Sequence, residues 1–461
     1  MRKLALIFTV LFMALSVPLQ ASAASLYEVR QILKNEYYGE IDGDIYDAQS
    51  IEELMKMMKD PYTVYMTKEQ YIQFNQSIEQ EIVGIGISID EHEKGVYISE
   101  VFNNGPAQSA GLKPGDIITH ADGTSLAGMP LNNAVTYITG AENTSVSLTI
   151  LRADGSSNEL SIIRKTIQMP NVVTSLLAGN VGYIYLASFS ENGAKEISNA
   201  IGNLKKQGAT SFIFDLQNNG GGVVDTAIDI ISLFPNAVKA FMLHDAAGID
   251  AVNVNSNRTR YYNKFPSSKH VSLLINGGSA SASDMTAAAV KDQKLAKIYG
   301  STSYGKGLMQ GMYLFRDGSA LKVTIGEFRS PNGSVINNVG VEPDVETKTA
   351  IQDAHFDLLK NNLSNYKELK SLTNVPTTKT FTVKLTHKAD ANSLQNAFEL
   401  VMLGGQKVDV STKITGTSIS ITPIEKLQPG AHYALIAHPT LKNVKGKTLK
   451  QGNYTKISVA K

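Results

Sequence analysis

The chain has no cysteine among its 461 residues, which excludes disulfides, thiolate metal sites, cysteine nucleophiles and lipid attachment through a thiol. Its eight histidines are scattered, with no HExxH and no paired ligand spacing, so neither a metal nor a cofactor is expected. Neither sign of charge is in excess: 43 Lys and Arg face 42 Asp and Glu, and no long basic run occurs. That excludes nucleic acid as a partner, because the phosphate interaction needs a concentrated positive face. Proline is sparse at 14 residues, and 43% of residues are hydrophobic against 18% charged. Disordered, collagen-like and coiled-coil readings fail on that composition, and the length implies two or more globular domains.

What is present begins with an export signal. Arg2 and Lys3 precede an apolar run from Leu4 to Val17, and Ala21-Ser22-Ala23 supplies a small-x-small cleavage site, so residues 1–23 read as a secretory signal peptide. The run is shorter than the roughly 20 residues that span a bilayer, and no later segment is apolar enough to do so. The mature chain is therefore expected outside the cytoplasm, extracellular or associated with the cell envelope, where ATP is not at hand.

Hydrophobic periodicity divides the remainder. Over residues 24–80 the apolar positions Leu26, Val29, Ile32, Leu33 and then Ile51, Leu54, Met55, Met58 recur at helical spacing, and Asp60-Pro61 interrupts the pattern. Their apolar stripe packs either on the chain's own core or on a second copy as a homodimer. Over 81–168 alternation takes over, in Ile82 to Ile89, Val96 to Ile98 and Val146 to Ile150, around a helix-like stretch from Leu131 to Ile138. Over 169–372, strands such as Val181 to Leu186, Ser211 to Leu216, Val271 to Ile275 and Ala296 to Tyr299 alternate with helical stretches, an α/β pattern whose chemistry belongs at the strand ends. Short strands between Gly, Pro and Asn turns over 378–461 fit an all-β sandwich.

Two segments of the α/β region carry chemistry. Asn276-Gly277-Gly278-Ser279-Ala280-Ser281-Ala282-Ser283-Asp284 follows the apolar strand Val271 to Ile275 and leads into a helix-prone stretch. Small residues at such an elbow let a hydroxyl stand exposed beside the free N–H groups of a helix start. The second segment, Gly300 to Gln310, contains Lys306 between Gly305 and Gly307. A phosphate loop would need Ser or Thr after that lysine and finds Gly307, and export removes the nucleotide. A Ser–Lys dyad is the competing reading, in which a desolvated lysine acts as general base toward a serine. Gln310, one helical turn on, would hold the amine. Alternate serines in such a block also cap helices, which keeps Ser279 and Ser283 beside Ser281 as candidates.

These residues resemble the carboxyl-terminal processing (tail-specific) serine proteases of bacterial envelopes. The resemblance runs through ordered motifs over roughly 50–346: Asp60-Pro61-Tyr62-Thr63, Gly84-Ile85-Gly86-Ile87, Gly105-Pro106-Ala107, Gly111 to Asp116, Asp215 to Gly222, the serine block, Gly305-Lys306-Gly307 and Gly340 to Val345. It implies a multidomain α+β protein. Its parts would be a crotonase/ClpP-like α/β protease core, an N-terminal helical segment, a PDZ domain and a C-terminal Ig-like sandwich, the last suggested also by Leu427 to Tyr433. It further implies Ser281 as nucleophile, Lys306 as base, Gln310 as the lysine-positioning amide, and an oxyanion hole from the N–H groups of Gly221 and Ala282. In the PDZ module, Gly84, Ile85, Gly86 and Ile87 would form the carboxylate loop, and Val135 and Ile138 would line the pocket for a terminal side chain. Arg164 stands where relatives link peptide binding to the catalytic geometry, and Asp292 matches a supporting polar position.

The implied partners are proteins or peptides with accessible apolar C-termini, with a cell-wall or protein partner for the Ig-like domain. Three positions depart from the family pattern: Gln217 for Arg, Tyr304 for Phe and Asp284 for Glu. The first weakens the expected anchoring of the glycine loop. A catalytically weak PDZ and Ig-like scaffold is the alternative from another class, and a crotonase-type acyl-CoA enzyme a third reading from fold alone.

Overall fold

The computed structural model describes residues 24–254 and 262–461; the expected signal peptide lies outside them. The chain forms two compact units. Of the described residues, one unit contains 24–73 together with Gln310–Ile325, and the other those of Phe74–Met309 together with Gly326–Lys461.

In the first unit the helix Leu26–Glu36 starts at a capping box. Ser25 Oγ accepts the Glu28 N–H at 3.1 Å, and the Glu28 carboxylate accepts the Ser25 N–H at 3.0 Å. The apolar stripe of this helix is covered within the unit: Val29 and Leu33 are buried with Leu54, Met58, Leu321 and Val323. The strand Val64–Met66 pairs antiparallel with Ala320, Leu321 and Lys322.

The second unit is built on a six-stranded sheet in the order Val172–Leu177, Val181–Leu186, Ser211–Asp215, Val271–Ile275, Lys297–Gly300, Val345–Glu346. The first pair is antiparallel and the others parallel. Every residue of Ser211–Asp215 and Val271–Ile275 is buried, as expected of central parallel strands covered on both faces. Alternate side chains serve opposite layers. Phe212, Phe214, Leu273 and Ile275 join the helices Gly193–Lys206, Val224–Ser232 and Ala282–Asp292 on one face. Ile213, Leu274 and Tyr299 meet Ala350, Ala354 and Leu358 of the helix Ala350–Asn362 on the other.

The β-rich module closes on its own core of Ile98, Ile118, Val146, Leu148 and Ile150 beneath the helix Leu131–Ile138. A two-stranded ribbon, Glu81–Gly84 with Lys165–Gln168, joins it to the sheet. At the C-terminus a three-stranded sheet lies with a six-stranded one around Phe398, Leu400, Ile419, Ile421 and Ile457. The short strands Lys367–Glu368 and Leu372–Val375 precede residue 378 and pair with Asn453–Val459.

This sandwich is docked on the helix Ala350–Asn362, not tethered beside it. Phe356 and Leu359 pack with Val401, Leu403, Ile436 and Tyr454, and Ala178 N–H donates to the Gly405 carbonyl at 3.0 Å. His355, fully buried at the junction, accepts the Gly404 N–H on Nδ1 at 2.9 Å. Its Nε2 is therefore the protonated nitrogen, donating to the Ala178 carbonyl at 2.8 Å. A second ring proton would confront the Gly404 N–H, and burial holds the imidazole below its ordinary range. The unfolded chain thus binds this proton more readily. Stability from the neutral ring is present above about pH 6.5 and is lost as pH falls toward the folded value. Between pH 7.5 and 5 the unfolding midpoint is expected to fall more steeply for the native chain than for His355→Gln, measured by calorimetry; parallel profiles would assign the acid sensitivity to other groups.

Candidate active site

The strand Val271–Ile275 ends in a turn that delivers Ser281 at φ +57°, ψ −109°, just before the helix Ala282–Asp292. A residue with a side chain is strained there by about 1–3 kcal/mol and persists only where its surroundings hold it. Asp284 is the holder. Its carboxylate is fully buried; Oδ2 accepts the main-chain N–H of Ser281 at 2.7 Å and of Lys306 at 2.9 Å. Oδ1 accepts the Gly305 N–H at 2.9 Å and the Ser303 hydroxyl at 2.5 Å. Burial pushes this carboxyl up from its ordinary range against those four bonds, but both oxygens face only donors, which leaves no room for a proton. One oxygen therefore gathers the serine elbow and the lysine loop within two hydrogen-bond lengths of each other.

The three candidate serines sit differently. Ser279 and Ser283 are fully buried, and their hydroxyls donate to the carbonyls of Leu216 at 2.7 Å and Asn219 at 2.9 Å. Ser281 is partly exposed. Ala282, the first residue of the helix, has an N–H with no acceptor among the described residues. Around Lys306 the backbone is crowded: a Cβ added to Gly305 would stand 2.6 Å from Gly340 N, and one added to Gly307 2.5 Å from Asn337 N. Tyr304 beside it is exposed.

The glycine loop 216–222 is latched to the elbow. Besides the two serine hydroxyls, Ala280 N–H donates to the Asn219 carbonyl at 3.0 Å and Asn276 Nδ2 to Asn218 Oδ1 at 3.0 Å. Gly221, at φ +104°, lies against the elbow, where an added Cβ would be 2.9 Å from Ser281 Cβ and 3.0 Å from Ala282 N. Its own N–H donates to Asn219 Oδ1 at 2.8 Å, while Asn219 Nδ2 donates to the Leu186 carbonyl. Anchoring at Gln217 uses the main chain, whose N–H donates to Asp215 Oδ1 at 2.9 Å. Asp215, with Tyr183 Oη donating to its other oxygen at 2.8 Å, is pushed up to about 6 by burial.

Gln310 lies on the strand Leu308–Leu314, which corrects the expectation of a helical turn after Lys306. Within its unit the amide donates to Thr324 Oγ1 at 3.4 Å. Thr324 N–H in turn donates to Thr63 Oγ1 at 3.0 Å, and Thr63 Oγ1 to Asp60 at 2.6 Å, so the Asp60-Pro61-Tyr62-Thr63 motif buttresses this amide. Asp292 lies at the far end of its helix, accepting the Asn332 N–H at 2.8 Å.

In the β-rich module Gly86, at φ +85°, turns the chain between strands, and the N–H groups of Ile85 and Gly86 have no acceptor among the described residues. Val135 is half-buried, whereas Ile138 belongs to the module's core at 4% exposure. Arg164 is a buried cap. Its guanidinium donates to the carbonyls of Tyr137, Ile138 and Ser145, the first two being final carbonyls of the helix Leu131–Ile138 that no helical N–H can reach.

Asp284 and Asn219 were missed as site residues by sequence reasoning. The spacing of Ser281 and Asp284 is that of a capping box, and an Asn before glycines favours side-chain-to-backbone turns. Asp284→Asn would set an amide NH2 against two donors, removing charge-assisted bonds that contribute about 1.5–3 kcal/mol each. The expected result is a fall in kcat of about a hundredfold or more at little-changed KM, with a lower unfolding midpoint. An unchanged kcat would show that the two loops keep their register without this carboxylate.

A strained serine elbow stands at the end of the mostly parallel sheet, joined to a lysine loop, and three family models match the chain. They are peptidase family S41 over residues 180–347, the PDZ domain over 72–151 and the bacterial Ig-like domain over 370–458. A probable CtpA-like serine protease of Staphylococcus haemolyticus (strain JCSC1435) is 35% identical over 318 residues, 68% of this chain and 62% of that protein. A second, of Staphylococcus aureus (strain MSSA476), is 32% identical over 365 residues, 79% of this chain and 69% of that protein. The chain belongs to the CtpA-like serine proteases of family S41, and it spans 62% of the length of the first of these relatives. It is also similar to the solved structure of a photosystem II D1 C-terminal processing protease, at 23% identity over 73% of this chain and 95% of that one, with a TM-score of 0.45.

Proposed function

We propose that this protein is an exported serine endopeptidase that captures the C-terminal tails of protein substrates in its PDZ module and hydrolyses peptide bonds through an acyl-enzyme. In this reading Ser281 Oγ attacks the scissile carbonyl carbon as Lys306 takes its proton. The tetrahedral oxyanion lies at the Ala282 N–H and at that of Gly221, which turns from Asn219 Oδ1 to the new charge. Collapse expels the amine, protonated by Lys306, and water then releases the acyl group by the same steps in reverse order. The role of Gln310 rests on the family resemblance alone.

The observation that carries the reading is the shared Asp284 oxygen, which joins the main chains of Ser281 and Lys306 and leaves Ser281 as the part-exposed member of its serine block. The free N–H groups of Ile85 and Gly86 are suited to a terminal carboxylate. Casein should be cleaved by the mature chain, and peptides ending in free Ala or Val should compete better than their C-terminal amides. A folded chain that cleaves neither casein nor such peptides, and takes no fluorophosphonate label, would leave the scaffold alternative in its place.

A further inference from the structure

A cavity of about 640 Å³ opens at the end of the parallel sheet opposite the serine elbow. The strands Val271–Ile275 and Lys297–Gly300 run parallel; the elbow and the lysine loop follow their C-terminal ends, whereas this cavity is lined by residues at their N-terminal ends. Five lysines line it, Lys269, Lys291, Lys294, Lys297 and Lys360, with two aspartates, Asp344 and Asp357. The whole chain carries a net charge of only +1, so this concentration is local.

The aspartates are already engaged. Asp357 accepts Lys297 Nζ at 2.8 Å, Lys360 Nζ at 2.9 Å and Tyr299 Oη at 2.6 Å. Burial pushes its carboxyl up, but these bonds outweigh that and hold it at about 2, so it stays the counter-charge of Lys297 and Lys360 at any working pH. Asp344 accepts the Ile298 N–H at 2.8 Å. Lys291 Nζ donates to the Glu342 carbonyl at 2.5 Å, which offers no charge. Lys269 and Lys294 are exposed and form no ion pair among the described residues. Lys291 and Lys360 lie in the last turns of their helices, where cations are favoured anyway. Lys297 is held by its pair with Asp357, while Lys269 lies in the single 3-10 turn Ser268–His270 and Lys294 just past the end of the helix Ala282–Asp292.

We propose that this cavity is a second binding site, outside the peptidase centre, for a chain of phosphate groups. Ammonium groups held within a Debye length repel one another, and a multivalent anion relieves that repulsion. Among the described residues no arginine lines the cavity. The ammonium groups act as point charges that meet phosphate oxygens with no fixed approach angle. Linked phosphates present several anionic groups at once to the lysines that line the cavity. Soluble oligophosphates and phosphodiester polymers share this chemistry.

The test is titration calorimetry of tripolyphosphate into the mature chain carrying Ser281→Ala, so that binding is read independently of hydrolysis, at about 0.15 M salt. Saturable binding to one site is expected, weakened at least about tenfold in Lys269→Gln/Lys294→Gln, with the ligand-free unfolding midpoint unchanged. The control Lys384→Gln/Lys413→Gln, two exposed lysines of the Ig-like domain, should bind as the parent does. Displacement by an oligomer of glycerol phosphate would point to a polymer as the source, and displacement by pyrophosphate alone to soluble phosphates; either supports the site. Absence of saturable binding, or equal weakening in both double variants, overturns it.

Discussion

With Ser281 the proposed nucleophile and Lys306 the proposed base, alanine at either position is expected to reduce casein hydrolysis by at least about 10⁴-fold, because such a pair acts as a unit and loss of either member removes the proposed covalent route. The two changes should cost nearly the same, and the double variant little more than either alone. Neither side chain belongs to the buried core, so unfolding midpoints should stay within a few degrees of the parent. Lys306→Arg separates a base from a mere cation: a guanidinium keeps its proton, so Arg is expected to be as inactive as Ala. Substantial activity in the Arg variant would show that position 306 supplies charge and not proton transfer. Loss of activity with a large drop in midpoint would instead assign the residue a structural role.

Gly221→Ala is the second large effect. The position combines φ +104° with a backbone wall: the added Cβ would lie 2.8 Å from the Ala280 carbonyl oxygen, 2.9 Å from Ser281 Cβ and 3.0 Å from Ala282 N. Two of those three atoms are main chain at the elbow itself and cannot swing away. Relief must come from moving the glycine loop or Ser281, and a misplacement of about 1 Å costs about a hundredfold in rate. Loss of the oxyanion donor proposed at Gly221 would cost about 10²–10³-fold. A fall in kcat/KM of about 10³-fold or more is therefore expected. The neighbouring Gly220→Ala is the control, since nothing lies within 4 Å of its added Cβ. If both variants keep parental kcat/KM, the glycine loop does not border the reacting carbonyl.

Local pattern made part of this molecule legible. The apolar runs Val181–Leu186 and Val271–Ile275 read as buried strands because parallel strands bury both faces, and Leu131–Ile138 read as a helix from its spacing. The elbow announced itself through Gly, Ala and Ser, the residues that fit where a chain turns sharply against another. What was not legible depended on partners distant in sequence. Gln310 looked helical because its strand has no alternation, every residue from Leu308 to Tyr313 being half-buried. Asp284 was visible only as a departure from Glu; its function follows from the return of residues 303–306 to the elbow. Arg164 likewise caps a helix more than 25 residues before it, a contact that no local pattern encodes. The sheet pairing of Lys239–Asp245 with Gly326 to Arg329 is nonlocal in the same way.

The junction of the Ig-like domain with the helix Ala350–Asn362 has a mechanical meaning. A domain held through Phe356, Leu359, His355 and an ion pair between Lys456 and Asp353 cannot pivot freely on a string of residues. That helix also lies flat on the sheet whose far ends present Ser281 and Lys306. A pull on the sandwich, from a surface or a bound partner, is thus delivered to the strands as load instead of being taken up as slack, and the orientation of the peptidase follows that of its C-terminal domain.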